Sequence, residues 1–215
     1  MTRDETLKEI ERVGVVAVIR TDSAETSVEV CRSLVEGGVT ACEITMTVPG
    51  AIDAIRTTTR ELGDACVIGV GTVLDKETAR AAILAGAEFV VSPILDPEVI
   101  EATHEHDKVA IPGALTPSEV VAAWVAGADV VKIFPANHFG PQYFRDLHGP
   151  LPQIRLTPTG GVDLETTPKW IEAGAVAVGV GSALVRRDLI ANAAWSDLTD
   201  LAAQYVGAVE SARSS

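Results

Sequence analysis

Cysteine is sparse in this sequence, and the three present follow no ligand pattern. Cys31, Cys42 and Cys66 are odd in number, lack CxxC spacing and lie in or beside apolar segments. They predict buried thiols in a reducing cytoplasm rather than a disulfide or zinc framework. Long hydrophobic runs are missing as well. Hydrophobic residues make up 47% of the chain, yet no run reaches the roughly 18 uninterrupted apolar residues of a membrane span. The opening stretch MTRDETLKEIERV is charged at nearly every other position, where a secretory signal needs an apolar segment of about 7 to 15 residues. Cations are in deficit: seventeen Lys and Arg, five of them Lys, face thirty Asp and Glu, for a formal charge of -13. That field repels phosphate backbones and anionic lipid, so neither nucleic acid nor membrane is an expected partner. An anionic small molecule would have to be held by a few placed cations or by backbone amides.

What the sequence does have is alternation. Short apolar, β-branched runs at 15–19, 39–44, 67–71, 89–91, 109–111, 130–134, 154–157 and 177–180 predict eight strands. Amphipathic stretches at 24–36, 49–62, 76–85, 97–106, 117–126 and 164–173 predict helices between them. Ala-Gly-Ala recurs at 85–87, 126–128 and 173–175, each time after a helix and before a strand, and Gly37-Gly38 holds the same place earlier. Glycine just past a helix adopts the left-handed cap without a Cβ penalty. Helix starts are marked by Thr116-Pro117-Ser118-Glu119 and by Asp96 before Pro97. At 215 residues, against about 150 per domain, the chain predicts one domain spanning 1–215. Eight βα units close most naturally as a (β/α)8 TIM barrel, here with a short N-terminal helix. The rival doubly wound sheet lacks its GxGxxG after the first strand, where Thr21-Asp22-Ser23 stands.

In such barrels the chemistry sits at the C-terminal ends of the strands. Lys132, inside Val130-Val131-Lys132-Ile133-Phe134, must be paired there or pay for desolvation. An amine so placed can attack a ketone and form a Schiff base; alternatively it snorkels to the strand end or pairs structurally with a carboxylate. Glu43, in Cys42-Glu43-Ile44-Thr45, is either a proton shuttle raised by burial or that structural partner. Thr159-Gly160-Gly161 after strand seven and Gly179-Val180-Gly181-Ser182 after strand eight read as a phosphate cradle of backbone amides. His104-Glu105-His106 puts its histidines on divergent faces, which fits a solvated helix end better than a metal site. His138 and His148 fall in a loop-like stretch, 136–149, open to substrate contacts. Trp124, Trp170 and Trp195 read as core or interface residues.

With these residues assembled, the segments GGVTACEITMT, VIGVGTVLD, FVVSP, IPGALTPSE, GADVVKIFPA, PTGGV and VGVGSALV make the chain resemble the class I 2-keto-3-deoxy-6-phosphogluconate (KDPG) and 4-hydroxy-2-oxoglutarate (KHG) aldolases, from about Gly14 to Leu184. The resemblance implies Lys132 as the Schiff-base lysine, Glu43 as the proton shuttle, Thr72 as a ligand of the keto-acid carboxylate and Pro93 as a pocket wall. Thr159, Gly160, Gly161, Gly181 and Ser182 would hold the distal phosphate or line the way to it, with Phe134 beside them. It further implies a homotrimer, no cofactor and no metal. The expected reaction is reversible cleavage of a 2-keto-3-deoxy sugar acid 6-phosphate to pyruvate and glyceraldehyde 3-phosphate, with a 4-hydroxy-2-oxo acid as the related substrate. A phosphate-binding isomerase or a non-catalytic sensor is the alternative of another class. Family members commonly carry Arg four residues after the glutamate, where this chain has Thr47. Either Arg20, at the end of strand one, takes over the carboxylate or the substrate differs.

Overall fold

The structure, a computed structural model, describes residues 1–214. Eight of its strands fall on the expected apolar runs and a ninth, β6, is added: β1 (Val15–Ile19), β2 (Ala41–Thr45), β3 (Val67–Gly71), β4 (Phe89–Val91), β5 (Val109–Ile111), β6 (Gly113–Ala114), β7 (Val131–Ile133), β8 (Leu156–Pro158) and β9 (Val178–Val180). Every residue in them is buried, which explains why they read as unbroken apolar segments rather than alternating ones. All pairings are parallel, in the orders β5-β4-β3-β2-β1-β9 and β6-β7-β8. β5 and β6 are one barrel strand interrupted at Pro112, which has no N–H for the ladder. Bridges from Leu156 to Ala175 and from Thr159 to Gly179 join β8 to the β9 segment and complete the ring. The result is the expected eight-stranded barrel.

The helices are α1 (Arg3–Val13), α2 (Ala24–Glu36), α3 (Ala51–Leu62), α4 (Lys76–Leu84), α5 (Pro97–His104), α6 (Pro117–Val125), α7 (Gln142–His148), α8 (Thr167–Glu172), α9 (Arg187–Ala191) and α10 (Trp195–Arg213). Expected caps are present: Thr116 and Glu119 form a reciprocal box, Asp96 accepts from the Glu98 amide, and Gly86, Gly127 and Gly174 take φ of 115°, 102° and 96°. α3 starts later than expected because Gly50 before it is left-handed, and α8 starts later because Asp163 and Thr166 close a hydrogen-bonded turn.

Three helices lie outside the sequence reading: α7, the short α9 and α10. The stretch 136–149 is not a loop but a 3-10 turn followed by α7, held by buried Phe144 and Leu147, with Phe144 edge-on to Trp170 at 4.9 Å. α10, which buries Leu198, Ala202, Tyr205 and Val209, packs against α2 and α8 and has no counterpart among the expected helices.

The barrel interior is filled from below. α1 turns Leu7, Ile10 and Val13 against Val16, Ala41, Val67, Phe89, Val109, Val130 and Ala177, which closes the N-terminal end. Polar groups there are tied off: Arg3 donates to Asp129 at 2.7 and 2.6 Å, while the other Asp129 oxygen meets His104 at 3.2 Å and the Ala110 amide at 2.8 Å. His104 is thus half-buried in a network rather than a solvated helix end, and half-buried His106 meets the Ala102 carbonyl.

Candidate active site

Above that apolar plug the inward positions turn polar. The register of β7 sets Lys132 beside Gly113 and Thr157, while its neighbours Val131 and Ile133 face the outer core. Lys132 is 5% exposed, with Nζ 5.2 Å from the centroid of the Phe134 ring. Among the described residues no carboxylate lies within ion-pair distance of that amine. Glu43 stands on β2 between the outward-facing Cys42 and Ile44 and is 3% exposed. Its carboxylate lies over Gly71, where any Cβ would collide with it, so glycine on β3 makes room for the acid. Burial raises the Glu43 pKa above the ordinary carboxylate value, and the charges of Lys132 and Arg20 partly offset the rise. The three groups therefore share one electrostatic field, with the amine and the acid left without a direct bond to each other.

A cavity of about 530 Å³ opens at this end of the barrel. Seven of the predicted site residues line it: Arg20, Phe134, Thr159, Gly160, Gly161, Gly181 and Ser182. The backbone explains why an anion suits it. Gly160 and Gly161 take φ of 98° and 72°, and successive residues in such conformations turn their N–H groups toward one point. Among the described residues the amides of residues 161 and 162 and of residues 181–183 donate to no protein acceptor, and all five residues line the cavity. Unpaired amides on two facing loops offer neutral donors to an anion despite the acidic surface.

The remaining predicted residues lie apart from the cavity wall. Thr72 follows Gly71 with φ of 61°, an unfavourable region for a β-branched residue and a common mark of a functional position. Pro93 is half-buried, its backbone packed against Gly113. Thr47 is exposed, its hydroxyl 2.7 Å from that of Thr45, which donates to the Ile19 carbonyl. His148 is not a flexible contact, because its Nε2 meets the Ile154 carbonyl at 3.1 Å, while His138 is exposed. Trp170 is buried in the core; Trp124 and Trp195 are half-buried. Two charged residues of the wall, Asp163 and Arg187, escaped the sequence reading. The only trace of Arg187 was a pair of cations, Arg186-Arg187, four residues after the strand-eight loop in an acid-rich chain.

A parallel barrel that buries an unpaired amine and a raised carboxyl beside an amide-lined mouth has the parts of an imine-forming lyase. The chain belongs to the KDPG and KHG aldolase family, whose sequence model matches residues 5–201. It is 35% identical over 196 residues to the 2-dehydro-3-deoxy-phosphogluconate aldolase of Treponema pallidum, covering 91% of this chain and 93% of that protein. To the 2-dehydro-3-deoxy-6-phosphogalactonate aldolase of Escherichia coli K12 it is 33% identical, covering 81% and 86%. The crystal structure of a Legionella pneumophila KDPG aldolase with pyruvate captured as a covalent carbinolamine superposes with a TM-score of 0.83, at 28% identity over 92% of this chain and 96% of that one.

Proposed function

We propose that the protein is a class I aldolase that cleaves a 2-keto-3-deoxy sugar acid phosphate reversibly to pyruvate and an aldehyde phosphate. The observation that carries this reading is the buried Lys132 amine, without an ion pair among the described residues, in the same field as a carboxyl raised by burial. In its uncharged form the Lys132 amine adds to the C2 keto carbon, and the carbinolamine loses water to give the imine. Glu43 takes the proton of the C4 hydroxyl, the C3–C4 bond breaks, and its electrons pass into the imine to leave an enamine. The aldehyde departs. Glu43 returns its proton to C3, and water hydrolyses the imine to release pyruvate and the free amine. Arg20 and Thr72 receive the carboxylate in this scheme, and the loops at residues 160–162 and 181–183 receive the distal phosphate.

The substrate assignment draws on the names of the relatives, which act on phosphorylated gluconate- and galactonate-derived acids. The proposal extends to one functional domain, a homotrimer and a reducing cytoplasm; the thiols of Cys31, Cys42 and Cys66 are free and buried. Among the described residues no helix is long and apolar enough to cross a membrane.

The deciding experiment is incubation with pyruvate and borohydride, which reduces the imine to a stable secondary amine. Peptide mass spectrometry should place the adduct on Lys132. An active protein with no adduct, or with the adduct on another lysine, would end the reading.

A further inference from the structure

Arg187 has no role in the chemistry above, yet its surroundings leave it free for one. It lines the cavity beside Gly160, Gly161 and Ser182, and among the described residues it makes no ion pair and no side-chain hydrogen bond. In a chain of charge -13 that freedom has a local origin, because the acids closest in the sequence and in the cavity wall are already engaged. Asp188 is held by Arg186 at 2.5 and 3.1 Å. Asp163 accepts from the amide and hydroxyl of Thr166 at 2.8 and 2.7 Å. The two cavity arginines also differ in what they reach. Arg20 lowers the Glu43 pKa, whereas Arg187 lines the cavity from the start of α9, beyond the loop of Gly181 and Ser182.

We infer that Arg187 is a specificity-determining residue, which selects substrates whose far end is a phosphate monoester dianion over those ending in a hydroxyl or a carboxylate. The reasoning is one of charge. Five neutral amides hold an anionic oxygen but distinguish weakly between one and two negative charges, whereas a guanidinium adds a permanent positive charge and a planar fork that fits phosphate. The inference rests on the aldolase reading and names the class of substrate that this site prefers.

The test compares kcat/KM for a 2-keto-3-deoxy sugar acid 6-phosphate and for its dephosphorylated counterpart in the wild type, Arg187→Gln and Arg187→Lys. Arg187→Gln should lower the value for the phosphorylated substrate on the order of 10- to 10²-fold, chiefly through KM, the loss expected for one charge-assisted contact. The dephosphorylated substrate should fall far less, so the selectivity ratio collapses. Arg187→Lys should recover part of that ratio by restoring the charge without the fork. Inorganic phosphate should compete with the phosphorylated substrate in the wild type and do so more weakly in Arg187→Gln. An unchanged ratio, or equal losses on both substrates with an unaltered thermal melt, overturns the inference. The wild-type borohydride adduct separates the two failures: without it the aldolase reading itself falls, and with it but an unmoved ratio only the role of Arg187 falls.

Discussion

The two ends of this barrel are built from the same nine strand segments and obey opposite rules. At the N-terminal end the charges beside the plug are shared: Asp129 by Arg3, His104 and a backbone amide, and Glu88 by Lys108 and the amino terminus. An apolar helix face fills the space between. At the C-terminal end the amine of Lys132, the carboxyl of Glu43, the guanidinium of Arg187 and five amides lack hydrogen bonds among the described residues, and Thr72 holds a left-handed backbone. Unmet polar groups inside a fold are costly. One end thus supplies stability that the other consumes, and the unsatisfied groups are the ones a substrate would satisfy.

The sharpest way to break that contrast is Glu43→Gln. The change keeps the shape over Gly71 but removes proton transfer, so turnover should fall on the order of 10²- to 10⁴-fold. Stability should move the other way. The folded protein holds the Glu43 proton more tightly than the unfolded chain does, because burial raises its pKa above the ordinary 4.5. Relative to the Gln variant, the wild type therefore keeps its full stability below about pH 4.5 and loses it as pH rises through the raised value. Thermal melts should show Glu43→Gln the more stable at pH 7, with the gap closing in acid. A variant that is inactive and also less stable at pH 7 would mean that the carboxylate is a structural partner.

The matching change at the other end is Ile10→Ala. Ile10 is 1% exposed in the plug formed by α1, and emptying its volume should cost about 2–5 kcal/mol. A denaturant midpoint shift checks the cost. Turnover at a temperature where the variant is folded should stay near the wild-type value, because nothing at the plug touches the mouth. A large loss of kcat would show that the two ends are mechanically coupled and that the division drawn between them is false.

How much of this division was legible beforehand follows from where each residue sits. Parallel strands buried on both faces appear as continuous apolar runs, so a single Lys or Glu inside one is conspicuous, and Lys132 and Glu43 were found on that ground. Gly160, Gly161, Gly181 and Ser182 were found because glycines cluster at consecutive strand ends. α7 was missed because seven residues span two turns, too few to establish a period. α10 follows the last strand, where no further strand brackets it, and alanines dilute its apolar stripe. Arg187 was illegible for a different reason: an arginine in a polar segment reads as solvated, and only the engagement of Asp188 and Asp163 elsewhere leaves it unpaired. Arg20 was expected at the site from its place at the end of strand one and does line the cavity, whereas the tie between Thr47 and Thr45 left no trace in the sequence.

The finest test separates the two cavity arginines and gives the smallest signal. Arg20 lies in the cavity and in the field of Glu43, whose pKa it lowers. Arg20→Ala should therefore have two effects that Arg187→Gln lacks. Removing the positive charge leaves burial less opposed, so the Glu43 pKa rises further and the acid limb of the kcat/KM profile moves to higher pH. Pyruvate should also bind less well, by about 1.5–3 kcal/mol if one charge-assisted contact to its carboxylate is lost, as read from the pyruvate concentration that half-saturates borohydride trapping. A normal pyruvate affinity with a selective loss on the phosphorylated substrate would move Arg20 to the phosphate side with Arg187. The carboxylate would then rest on Thr72 and backbone amides alone. The pH limb is the stricter criterion, because a phosphate ligand remote from Glu43 leaves it in place, whereas a cation sharing the field of Lys132 and Glu43 cannot be removed without displacing it.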